Sequence, residues 1–182
     1  MLTTVKKQGD FFMQKNEVFN VRNLTRLALV AAMYVAMTLA VPALAYDAIQ
    51  CRFSEILVLL CFYRKDYSVA LILGCFIANI FSPFGWYDLV FGVAATALAV
   101  LLMYYFKNVF LAALLPVISN GVLVGIELHL IGEPLWFSMG TVALGELLVM
   151  ILGAAVFKLV FEKNAPLMRL IGSTRNAKKT AV

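Results

Sequence analysis

The chain has little of what most enzymes use. It contains one histidine, His129, and three cysteines, Cys51, Cys61 and Cys75, with no CxxC spacing. A disulfide framework or a zinc site is therefore not expected, and the cysteines read as small apolar core residues. No HExxH, GxSxG or GxxxxGK[ST] pattern occurs. Those absences argue against a zinc protease, a nucleophile-elbow hydrolase and an ATP-binding P-loop. No cofactor is expected in the chain itself, and if ATP drives its activity another subunit must hydrolyse it. Charge is also scarce: 14% of the 182 residues are charged, against about 25% in a soluble domain. No polar block in the middle of the chain is long enough to form a second, soluble domain.

What is abundant is apolar sequence, at 63% where a soluble domain has about 45–50%. It is arranged in six runs, 24–44, 49–63, 67–81, 86–106, 109–131 and 135–161. Ser82-Pro83-Phe84-Gly85 and Gly132-Glu133-Pro134 are turns. The expectation is an all-α polytopic membrane protein with six transmembrane helices over 24–161. Residues 1–23 then form a cytoplasmic N-terminal tail, and 162–182 a basic cytoplasmic C-terminal tail. Runs two and three are short: fifteen helical residues reach only about 22 Å at 1.5 Å per residue. A re-entrant hairpin is the rival, but it would place Arg64, Lys65 and Asp66 at membrane depth, at about 2.5–3.5 kcal/mol per charge. Full crossing is cheaper. Ala43-Leu44-Ala45 looks like a signal-cleavage site, but the run before it exceeds the usual h-region of about 7–15 residues, so cleavage is not expected.

The net charge of +5 raises the question of nucleic acid, which the distribution of the charges answers. The basic residues lie in short loops and tails between apolar runs. With alternating crossings and the N-terminus inside, every Lys and Arg except Arg52 falls on the cytoplasmic side. The positive-inside rule thus favours both termini in the cytoplasm. The outward half instead carries Asp47, Glu55, Asp88, Glu127 and Glu133.

Polar groups inside membrane runs are costly and usually line a site or pair with one another. Gln50, Arg52 and Glu55 open the second run; Asn79 lies in the third, Asp88 in the fourth, Asn120 and Glu127 in the fifth, Glu146 in the sixth. Asn120 and Glu127 are seven apart and share a helix face. This convergence predicts a shared polar pocket formed by Gln50, Arg52, Glu55, Asn79, Asp88, Asn120, Glu127 and Glu146. The i,i+3 spacing of Arg52 and Glu55 also allows simple mutual neutralisation. His129 reads as interfacial, and Trp86 and Trp136 as members of an aromatic belt. In the first run Ala28, Ala32, Ala36 and Ala40 stack on one ridge. Such a ridge lets a second helix approach closely, from within the bundle or from a partner.

Several segments together resemble a known family. Ile49-Gln50-Cys51-Arg52-Phe53-Ser54-Glu55 is similar to the IQFRxSE segment of the QueT-like substrate-binding S components of energy-coupling factor (ECF) transporters. Asn79-Ile80-Phe81-Ser82-Pro83-Phe84-Gly85, followed by Asp88 and Phe91-Gly92, resembles the family's next motif. Val124-Gly125-Ile126-Glu127-Leu128-His129 and Leu144-Gly145-Glu146-Leu147 resemble its last two. The likeness runs from about Asn23 to Phe161 and departs at Cys51, where an aromatic residue is expected. It implies a six-helix S-component bundle that captures a queuosine precursor of the 7-deazaguanine type outside the cell. It further implies a transmembrane coupling protein and two cytosolic ATPases as partners, ATP being used by those subunits. Small residues on the first helix, here Ala28, Ala32 and Ala36, would meet the coupling protein. The rival expectation is a stand-alone proton-coupled secondary transporter, its buried acids carrying protons. A membrane enzyme is the weakest reading, given the missing motifs.

Overall fold

A computed structural model describes residues 20–42 and 51–173. The described residues contain helices and no strand. We label them α1 (Val21–Ala40), α2 (Phe53–Tyr63), α3 (Tyr67–Asn79), α4 (Trp86–Met103), α5 (Val109–Leu130), α6 (Leu135–Phe161) and α7 (Ala165–Leu170). Asparagine starts three of them. Asn20, Asn108 and Asn164 accept hydrogen bonds from Arg22 N (3.2 Å), Phe110 N (2.9 Å) and Leu167 N (3.3 Å), using amides that helix geometry leaves without an internal acceptor. Pro134 caps α6 and Pro166 lies in the first turn of α7, where a missing N–H costs nothing.

Four helices, α1, α4, α5 and α6, are long and apolar enough to cross a membrane; α2 and α3 are apolar but shorter. Over the described residues each of the six apolar runs is therefore helical for most of its length, with crossing length in four. The large apolar side chains that remain exposed, among them Leu101, Ile118, Leu148, Ile151 and Trp136, would form an insoluble surface in water. In a bilayer they face lipid.

The short α2 is the hub of the bundle. Its first part, Phe53–Leu59, is a 3-10 helix that touches α1, α3, α4, α5 and α6 before continuing as α-helix over Leu60–Tyr63. With the steeper 3-10 rise, α2 is about 20 Å long. Three residues per turn eclipse i and i+3, so Glu55 and Val58 share a buried stripe.

Small residues set the close approaches. On α5, Gly121 and Gly125 lie four apart against α6; a Cβ at Gly125 would stand 2.8 Å from Met139 Cα, and one at Gly121 3.0 Å from Ala143 Cβ. Only a bare backbone permits that crossing. Likewise Gly74 of α3 sits against Ala31 and Tyr34 of α1, and Gly153 of α6 against Ile56 and Leu59 of α2. The alanine ridge plays no such part: Ala28, Ala32, Ala36 and Ala40 are exposed, while α1 buries Asn23, Val30, Ala31, Tyr34 and Thr38. The ridge lies on the outside of the bundle.

The end of α6 widens into a π-helical turn over Phe157–Phe161, where Phe157 stacks on Phe161 (4.6 Å) and on Tyr63 (5.4 Å). Beyond it, within the stretch the sequence assigns to the C-terminal tail, α7 folds back onto the bundle. Tyr67 donates from its hydroxyl to the Ile171 carbonyl at 2.8 Å and pins that return.

Candidate functional site

Because α2 is central, the polar residues at its start meet those of every longer helix. Arg52 is 5% exposed, Glu55 1%, Asn79, Asp88 and Glu127 0%, Glu146 3% and Asn120 6%. All seven are thus removed from water, a position that requires partners. Gln50, the eighth residue expected in the pocket, lies outside the described residues.

Arg52 holds the centre. Its guanidinium stands 3.8 Å from Asp88 Oδ1 and 3.5 Å from Asn79 Oδ1. It is also an electrostatic neighbour of Glu55, Glu127 and Glu146. One cation therefore serves four buried carboxylates from four helices. Asn79 is fixed by donating from Nδ2 to the Asp88 carbonyl at 2.9 Å, a contact that depends on Gly92, where a Cβ would meet that nitrogen at 2.7 Å. Ser82, in the turn before α4, donates from its hydroxyl to Asp88 Oδ2.

Glu55 does not simply neutralise Arg52 as its neighbour in sequence. Tyr34 of α1 donates to its Oε1. One turn along, Thr38 Oγ1 and Ser54 Oγ lie 2.6 Å apart. The sequence reading missed Tyr34, Thr38, Ser54 and Ser82. A signal for the first two was present, since Tyr34 and Thr38 are four apart on the face of α1 away from the alanines.

The shared face of Asn120 and Glu127 divides between two neighbours. Asn120 lies beside Glu146, whereas Glu127 turns to Asp88. Five buried carboxylate oxygens receive no hydrogen bond from the described residues: Glu55 Oε2, Asp88 Oδ1, both oxygens of Glu127, and Glu146 Oε1. Asp88 Oδ1 has the charge of Arg52 nearby but no donor within hydrogen-bond range. Among the described residues the cluster is thus rich in acceptors and short of donors. No three His, Cys, Asp or Glu residues among the described ones converge as a metal site.

The remaining expectations concern the periphery. His129 is exposed at the end of α5, its Nδ1 2.9 Å from the Glu133 carbonyl. Trp86 and Trp136 are exposed at helix starts, Trp86 stacked on Tyr87. Cys61 and Cys75 are buried, Cys51 is half-buried, and all three are free thiols.

Comparison with known sequences identifies the bundle. Residues 24–162 match the profile of the family described as QueT transporter. A relative from Lactococcus lactis subsp. cremoris, named queuosine precursor transporter QueT, is 33% identical over 162 residues, spanning 79% of this chain and 93% of that protein. No solved structure matches. The matched stretch contains every described residue of the polar cluster. Family and relative are transporters, so the chain is not an enzyme but a multi-pass protein of the cell membrane. It belongs to the QueT transporter family.

Proposed function

We propose that the chain is the substrate-binding S component of an ECF-type importer, capturing a queuosine precursor of the 7-deazaguanine type outside the cell. The observation that carries the substrate reading is the set of buried carboxylate oxygens without donors on Glu55, Asp88, Glu127 and Glu146. A deazaguanine is flat and presents N–H donors along one edge beside a carbonyl acceptor. Its donors suit those carboxylates, and the amide of Asn120 suits its carbonyl, since Asn79 Nδ2 already donates to the Asp88 carbonyl and to Cys75 Sγ. If the ligand carries an aminomethyl cation, Asp88 or Glu55 is a natural counter-ion. Such an edge discriminates well, because the wrong ligand leaves buried polar groups unpaired. The name of the L. lactis relative supports the same substrate class.

The importer reading rests on two further features. The chain has no P-loop of its own, so ATP would be used by two cytosolic ATPases acting through a transmembrane coupling protein. The exposed ridge of Ala28, Ala32 and Ala36 is the surface we assign to that coupling protein. In this reading α2 and α3 also cross, giving six spans with both termini inside. Isothermal titration of the purified chain with 7-deazaguanines is the direct test of the substrate. Failure of every deazaguanine to bind, with a different small molecule co-purifying, would overturn it.

The buried acids themselves favour a second reading, a stand-alone transporter in which Glu127 or Glu146 carries a proton. Reconstituted vesicles separate the two. Uptake by the chain alone under a proton gradient supports the second, and uptake only with coupling protein, ATPases and ATP supports the first.

A further inference from the structure

Far from the polar cluster, at the start of α1, a cavity of ≈ 180 Å³ opens to the surface between Asn20, Arg22, Asn23, Arg26 and Arg64. Three of its five lining residues are arginines from two elements, α1 and the turn between α2 and α3. Arg64 spends Nε and one terminal nitrogen on Asp66 Oδ2, at 2.9 and 2.6 Å. No carboxylate of the described residues lies within ion-pair distance of Arg22 or Arg26. The cavity therefore carries a surplus of positive charge.

The chain brings these charges together by a specific device. After α7 it turns through Gly172, whose φ of +61° is readily adopted by glycine. A Cβ there would stand 2.4 Å from one terminal nitrogen of Arg26 and 2.8 Å from one of Arg64. Two guanidinium groups thus close over a single glycine. The turn is held by the Tyr67–Ile171 bond and by Gly172 N to the Arg169 carbonyl at 3.0 Å. Asp66 offsets one of these two charges, and the other, on Arg26, is left without a carboxylate among the described residues. Val21 and Leu24, beside the lining residues of α1, and Leu170, two residues before Gly172, are exposed apolar side chains.

We propose that this pocket binds the phosphate of an anionic phospholipid headgroup. The pocket lies at the end of a membrane-spanning helix, where headgroups are. Planar guanidinium forks match phosphate oxygens in pairs. The exposed Val21, Leu24 and Leu170 give the attached acyl chains an apolar surface to follow. Free phosphate shares the charge chemistry but has no use for that surface. This inference does not depend on the substrate reading, since none of its residues belongs to the polar cluster.

The test uses the full chain in neutral detergent, titrated separately with phosphatidylglycerol, phosphatidylcholine and inorganic phosphate. Bound lipid is counted by native mass spectrometry, and unfolding temperature is followed in parallel. Phosphatidylglycerol is expected to bind in preference to phosphatidylcholine and to raise the unfolding temperature, with inorganic phosphate doing neither. A direct ion pair at a partly exposed site contributes up to about a five-fold factor. Arg26→Gln should therefore weaken phosphatidylglycerol binding about five-fold, and Arg22→Gln with Arg26→Gln about 25-fold. Lys158→Gln with Lys163→Gln removes the same charge outside the pocket and should change binding less than two-fold. Arg26→Lys keeps the charge, is the variant least prone to misfold, and should lose part of the affinity through its missing fork. Equal binding of the two lipids, equal losses in the arginine and lysine variants, or full competition by inorganic phosphate would overturn the proposal.

Discussion

Tyr34 of α1 donates its hydroxyl to the Glu55 carboxylate of α2, joining residues 21 positions apart inside the bundle. Both are almost completely buried, so the bond fastens the first long helix to the central short one and leaves the other Glu55 oxygen without a donor. Tyr34→Phe should cost about 1–3 kcal/mol of stability, the price of a buried acceptor left without its donor. A thermal-unfolding midpoint equal to that of the parent protein would show that the bond does not carry this load.

Glu127→Gln and Glu146→Gln should each weaken deazaguanine binding while the fold is retained. Both acids present buried oxygens with no donor among the described residues, and glutamine keeps their size. A lost charge-assisted hydrogen bond costs about 1.5–3 kcal/mol, or about ten- to 150-fold in affinity. Calorimetric titration measures it. Lowered thermal stability with unchanged affinity would mean that these acids only hold the bundle together around Arg52.

The outer ridge of α1 makes a different demand. Ala32→Leu or Ala36→Leu adds bulk to an exposed face, so ligand binding and folding should be unaffected. Assembly with the coupling protein should weaken, since overpacking a close helix contact costs about 1–3 kcal/mol. Co-purification of the complex reads this directly, and normal assembly of both variants would assign the ridge to lipid.

The inward or outward position of each loop is open to labelling. In a background lacking Cys51, Cys61 and Cys75, a cysteine at Lys65 should resist a membrane-impermeant reagent in intact cells, and one at Glu133 should react. Both positions are exposed. Glu133 is preferable to its neighbour Gly132, whose φ of +112° disfavours any side chain. Outside labelling at position 65 would end the arrangement with six spans and both termini inside.

Gly125 of α5 and Gly140 of α6 should behave in opposite ways. Gly125→Ala drives a Cβ into the Met139 backbone and should destabilise by about 1–3 kcal/mol. Gly140→Ala on α6 meets open space and should stabilise by about 0.5–1 kcal/mol, because alanine loses less backbone freedom in a helix. Paired unfolding measurements on the two variants provide the check.

Helices α1 to α6 and their approximate ends were legible in the sequence, because run length and turn residues are local properties; α7, in the stretch read as a tail, was not. The sequence reading began the first run at residue 24 and the structure begins α1 at Val21; a run boundary marks where apolar sequence starts, whereas Asn20 as N-cap marks where helix starts. The burial of Arg52, Glu55, Asn79, Asp88, Asn120, Glu127 and Glu146 was legible for a related reason: a charged or amide side chain in an apolar run has few places to go but inward. The sequence by itself therefore determined a helical membrane protein with a buried polar set. Only the tertiary structure decided which members of that set meet. Arg52 and Glu55 sit at helix-pair spacing, yet Glu55 is taken by Tyr34 from another helix. Asn120 and Glu127 share a face, yet they divide between Glu146 and Asp88. The 3-10 winding of α2, the Gly121–Gly125 crossing and the meeting of Arg26 with Arg64 over Gly172 also depend on chain segments distant in sequence. Spacing along one helix fixes a face; which group stands opposite that face is set by how the helices pack.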